Sequence, residues 1–142
     1  VKIVRYAIAL LALAGVVVSI LALRVHYSTG TESCSINETW DCGIVNHSPF
    51  AEIAHIPVAA IGILGYLALA GLALMRQRFL VFLTALVGLG FALHLASIEE
   101  YALGVWCVYC AISLAIIALI TLLALGWFTA EYRSLKRACR TL

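Results

Sequence analysis

The chain has 142 residues, 65% of them hydrophobic and 11% charged, with a net charge of +2 and five cysteines. A soluble domain is typically about 45–50% apolar and about 25% charged, so a mean hydropathy of +1.10 with long unbroken apolar runs excludes an ordinary water-soluble fold. The charge is sparse and gives no nucleic-acid footprint, so no nucleic-acid partner is expected.

A membrane-spanning helix needs roughly 20 apolar residues. The first run, 6–23, follows Lys2 and Arg5. It is longer than the typical signal-peptide core of about 7–15 residues, and no clean small-x-small site follows, so a retained first helix is expected. Residues 24–56 are the one polar loop with room for structure. Within it Ser48-Pro49 reads as an N-cap with proline at the first helical position. Phe50, Ile53 and Ala54 form an apolar face beside the polar Glu52 and His55. A brief interfacial helix over 48–55, capping the outer mouth of a bundle, is expected, with an irregular loop as the alternative. The second run is 57–75, Arg76–Arg78 make a tight turn, and the third run is 79–98. Glu99 and Glu100 then read as solvated turn residues, with Glu99 also able to cap the next helix. The fourth run is 105–128. The expected fold is an all-α integral membrane bundle of four transmembrane helices, one domain over 1–142, with a structured outer loop between helices 1 and 2. Gly62, Gly65, Gly71, Gly88 and Gly90 suit close helix packing. Trp40, Tyr101, Trp106 and Tyr109 suit an interfacial aromatic belt.

With four spans both termini share a side. Lys2, Arg5, Arg76, Arg78, Arg133, Lys136, Arg137 and Arg140 fall on it, and Arg24 falls opposite. The positive-inside rule therefore predicts a multi-pass cell-membrane protein with cytoplasmic termini. Cys34, Cys42, Cys107 and Cys110 then face the extracytoplasmic side, where disulfides persist. Cys139 lies apart in the basic tail and reads as a spare thiol.

Cys107-Val-Tyr-Cys110 opens the fourth run. At a helix start the first sulfur is expected to be exposed among free N–H groups, which favour the thiolate, with the second one turn deeper. A structural zinc site usually needs two close cysteine pairs, whereas Cys34 and Cys42 are eight apart, so no metal is expected. A Cys-x-x-Cys disulfide closes almost no loop and is a poor staple, although two purely structural disulfides remain an alternative. Thiol–disulfide exchange uses every feature. The loop pair meets a soluble protein dithiol, the helix pair takes its electrons through a mixed disulfide, and Cys110 faces the bundle interior. No haem, flavin or nucleotide motif is visible, so a membrane quinone is the expected acceptor. His94 is the one ionisable residue well inside a span and is a candidate hydrogen-bond or proton donor to a quinone carbonyl; a histidine satisfied by packing is the alternative. Tyr66, Phe91 and Leu114 are candidate lining residues for the same pocket.

The pattern Cys34-x7-Cys42, Ser48 six residues after Cys42, and Cys107-Val-Tyr-Cys110 at the last span resembles the vitamin K epoxide reductase family in its bacterial and archaeal branch. The run Ile56-Pro-Val-Ala-Ala-Ile-Gly-Ile-Leu-Gly-Tyr66 is similar to the start of span two in microbial members, and the likeness covers nearly the whole chain. The resemblance implies a four-helix bundle around a quinone of menaquinone or ubiquinone type. It implies a relay from a thioredoxin-fold partner to Cys34, from Cys42 to Cys107, and from Cys110 to quinone, with Ser48 supporting the site by hydrogen bonding. Many microbial members carry a fused thioredoxin-like domain; here a separate partner is expected. Animal members hold vitamin K with an asparagine in span two and a tyrosine four residues after the second motif cysteine. Leu114 takes the latter place and span two has no asparagine, so quinone reduction in support of disulfide formation in exported proteins is expected ahead of epoxide reduction. A vitamin K quinone or epoxide reductase is the alternative enzyme, and a scaffold with structural disulfides the non-enzymatic alternative.

Overall fold

The computed structural model describes residues 2–28 and 36–142. Three helices are long and apolar enough to cross a membrane: α1 (Lys2–Tyr27), α4 (Arg78–Ile98, prolonged to Leu103 by one wide π turn) and α5 (Val108–Arg140). A fourth apolar helix, α3 (Val58–Leu74), has 17 residues. At about 1.5 Å per residue it spans about 26 Å, slightly less than a hydrocarbon core of about 30 Å. The chain is thus mostly helical and compatible with a membrane bundle. Leu10, Leu64, Val87 and Leu122 stand exposed on its outer surface, an arrangement unfavourable in water and suited to lipid.

Helix α1 packs against α3 and α5, and α4 against α5 and α3. Ala12, Ala73, Ala85 and Ala124 are fully buried where the helices meet. Small side chains let the backbones approach, which is how helices associate where lipid supplies no hydrophobic drive. Gly15 is the tightest case, since a Cβ there would lie 2.5 Å from the Tyr66 ring. Arg78 at the start of α4 forms an ion pair with Glu131 of α5.

The loop differs from expectation. Its helix is α2 (Cys42–Asn46), upstream of the anticipated 48–55 segment. Asp41 starts it: Oδ1 accepts the N–H groups of Gly43 at 2.8 Å and Ile44 at 3.2 Å, satisfying two donors that a helix start leaves free. Ser48 does not cap a helix; its hydroxyl donates to the Val45 carbonyl at 2.8 Å. Pro49–Ala51 makes only one 3₁₀ turn, followed by a two-stranded hairpin of β1 (Glu52–Ile53) and β2 (Ile56–Pro57). Ala54 (φ 52°) and His55 (φ 67°) both occupy the left-handed region, as a two-residue hairpin turn requires. The β-branched Ile53 and Ile56 pair across the hairpin, and Phe50, Ile53 and Ala54, read as one helix face, fall instead in the 3₁₀ turn, in β1 and in the hairpin turn. At the other end of the chain, α5 continues past 128 to Arg140. The segment after Gly126 holds no proline and ends in Arg137 and Arg140, favourable charges for a last helical turn.

Candidate functional site

The loop meets the start of α5 through a short backbone bridge. The Trp106 N–H donates to the Thr39 carbonyl at 2.7 Å, and the Asp41 N–H donates to the Trp106 carbonyl at 3.0 Å. The Trp40 and Trp106 rings lie 6.2 Å apart, and the Trp106 indole N–H donates to Glu100 at 2.9 Å. These two residues therefore clamp the loop to the start of α5. Cys42 follows Asp41 and Cys107 follows Trp106, so one bridge delivers both sulfur-bearing residues to the same place. Both are fully buried, in a cluster with Val25, Val45 and Val105.

Burial of Cys107 corrects the expectation of an exposed first sulfur, because α2 lies over the start of α5. Gly104 (φ 66°) turns the chain in the left-handed region after the π turn, a conformation that favours glycine. The turn brings Glu99, only 3% exposed, back to Cys107. Its Oε2 accepts the Cys107 N–H at 3.1 Å. Glu99 is thus a buried cap of α5 and not a solvated turn residue, while Glu100 is exposed.

Cys107 and Cys110 carry free thiols, and Cys42 is disulfide-bonded. Cys34 lies outside the described residues. The hydrogen bond from Cys110 holds the Cys107 thiol below its ordinary range, against the opposing effect of burial; the Cys110 and Tyr109 N–H groups assist, and the negative charge of Glu99 pushes the other way. Asn46, missed in the sequence, sits between the two cysteines. Its Nδ2 donates to the Cys42 carbonyl at 2.9 Å and to the Cys107 sulfur at 3.5 Å. The available signal was its position four residues after Cys42 on a segment opened by Asp41, the spacing at which helix residues face one another.

Cys110 opens onto a cavity of about 490 Å³. Ser48, Tyr66, Phe91 and Leu114 all line it, and Asn46 and Glu99 add polar points to the lining. The Tyr66 hydroxyl is turned to Ser113, with Oγ at 2.7 Å and the carbonyl at 2.9 Å. His94 is not among the lining residues and is exposed on the outer side of α4. Helix α4 is apolar nearly all round, and packing turned this position outward.

Over the cavity, the end of α1 grips the loop. The two His26 ring nitrogens face the Asn46 carbonyl at 2.6 Å and the Glu52 carboxylate at 3.1 Å. Ligand pockets are typically about 300–1,000 Å³, mostly apolar, with a few placed polar groups; this one fits that description and holds a thiol at its wall.

None of the curated proteins matches the chain. Residues 6–125 match the sequence model of the vitamin K epoxide reductase family, whose members are membrane oxidoreductases of the thiol and quinone kind. With most of its length covered, the chain belongs to the vitamin K epoxide reductase family.

Proposed function

We propose that this chain, as a single domain, oxidises the dithiol of a separate thioredoxin-fold protein and passes the electrons through Cys34 and Cys42, then Cys107 and Cys110, to a membrane quinone. The observation that carries the proposal is the shared burial of Cys42 and Cys107, with Cys110 one turn further along α5 at the wall of an apolar cavity. The four cysteines face the extracytoplasmic side, and the basic helix ends with both termini face the cytoplasm. In that compartment the reaction supports disulfide formation in exported proteins.

The relay is a series of thiolate attacks on disulfides. The partner's dithiol reduces the Cys34–Cys42 disulfide and leaves oxidised. Cys42 thiolate then attacks Cys107 of a Cys107–Cys110 disulfide; Cys110 leaves as a thiolate and takes a proton. Cys34 thiolate attacks Cys42, restoring the loop disulfide and releasing Cys107. The loop pair has lost two electrons and the helix pair has gained them.

The cavity fits a quinone ring in size and in its apolar lining, and Ser48, Tyr66, Phe91 and Leu114 would hold it against Cys110. A bound quinone supplies an acceptor for two electrons and two protons. The residues around it exclude water and fix the Cys110 sulfur at its edge. The hairpin and α2, gripped by His26, close the cavity from above. Hydrophobic walls contribute little discrimination between quinone tails, so the head group is the part recognised.

Trapping tests this relay. Cys34→Ala should accumulate a Cys42–Cys107 disulfide, detected by mass spectrometry of the chain without reductant. Absence of that species, with Cys42 found on any other cysteine of the chain, would overturn the order proposed.

A further inference from the structure

We infer that Asn46 is a catalytic residue of the cysteine relay, the hydrogen-bond donor that receives the Cys107 sulfur as it leaves the mixed disulfide with Cys42. The inference rests on the proposed relay and adds to it a group that acts on the reacting sulfur. Asn46 is 7% exposed and is the last residue of α2. Its amide orientation is set by chemistry. The Cys42 carbonyl, 2.9 Å away, can only accept, so the amide nitrogen must face it. That same nitrogen lies 3.5 Å from the Cys107 sulfur. An amide nitrogen has two hydrogens, one for the Cys42 carbonyl and one for the sulfur. His26 fixes the residue from behind through the Asn46 carbonyl, at 2.6 Å.

The group has a specific moment of use. When Cys34 thiolate attacks Cys42 of the mixed disulfide, the Cys34–Cys42 bond forms and the Cys42–Cys107 bond breaks. The electron pair of the broken bond stays on Cys107, which leaves as a thiolate. Exchange is faster when the leaving sulfur is the more stable anion. A donor aimed at Cys107 therefore favours delivery of electrons to the helix pair. Because the same amide holds the Cys42 carbonyl, it also keeps the two reacting residues in register.

The test uses the full chain purified in detergent, with Asn46→Asp and Asn46→Leu. The pH dependence of Cys107 alkylation by a small thiol reagent is read by peptide mass spectrometry. A hydrogen bond to a charged group corresponds to a shift of about one pH unit, so Asn46→Leu should raise the midpoint by about that much. Asn46→Asp replaces the donor with a negative charge and should raise it further. Thermal unfolding of the same samples serves as the reference for folding, and Asn46→Asp, nearly the same shape, keeps the test alive if the leucine variant does not accumulate. An unchanged Cys107 midpoint in the aspartate variant would overturn the inference. The relay itself is judged separately by wild-type turnover with dithiol and quinone: a Cys107 shift without wild-type turnover would keep the amide–sulfur contact and reject its catalytic role.

Discussion

Replacing Glu99 separates two effects that the structure superimposes on Cys107. The carboxylate accepts the Cys107 N–H at 3.1 Å and is itself 3% exposed. In Glu99→Leu that N–H loses its acceptor in a buried place, at a cost of about 1–3 kcal/mol, or roughly a five- to hundredfold change in the folding equilibrium, since 1.4 kcal/mol is tenfold. Glu99→Gln keeps a carbonyl oxygen for the N–H and should lose little stability. Both changes remove a negative charge that opposes formation of the Cys107 thiolate. The sign follows: with the charge gone, the Cys107 thiol ionises at lower pH than in the wild type. Denaturant unfolding in detergent gives the first quantity, and the pH profile of Cys107 alkylation gives the second. Equal stability of the leucine and glutamine variants would refute the cap. A Cys107 profile moved to higher pH in Glu99→Gln would refute the electrostatic part.

Gly15→Ala should destabilise the bundle by about 1–3 kcal/mol, the usual cost of overpacking, because the new methyl group meets the Tyr66 ring at 2.5 Å; thermal unfolding measures it, and the displaced Tyr66 should also raise the apparent KM for quinone. His26→Ala removes two of the contacts that fix the loop to α1. At about 1 kcal/mol each, their loss should speed hydrogen exchange in α2 by roughly tenfold or more while leaving α3 and α4 unchanged. In intact cells, a membrane-impermeant thiol reagent applied after reduction should label the loop cysteines and spare Cys139; labelling of Cys139 alone would invert the orientation.

The helices were legible because runs such as 79–98 are nearly uncharged and too long for anything but a span or a deeply buried helix. The cysteine motif was conspicuous because Cys107-Val-Tyr-Cys110 stands beside such a run. Side-chain direction was not. Helix α4 is apolar on every side, so periodicity gives no reason to turn Phe91 toward the cavity and His94 away from it. Burial of Cys107 depends on the bridge between Trp40 and Trp106, a contact between residues distant in sequence that no local pattern announces. The loop helix was misplaced because two helix-start signals compete within eight residues. Asp41 captured its N–H groups, while Ser48 spent its hydroxyl on the Val45 carbonyl. Asn46 escaped notice for the same reason, since its value depends on α2 existing.

The most direct measurement of the central claim is quinone reduction by the purified chain in lipid vesicles, driven by a reduced thioredoxin-fold protein, compared between wild type and Cys110→Ala. The wild type should convert one quinone for each dithiol oxidised. Cys110→Ala should lose quinone reduction while its loop disulfide still exchanges with the partner. Quinone reduction at the wild-type rate in Cys110→Ala would contradict a path that leaves the protein through the sulfur at the cavity wall.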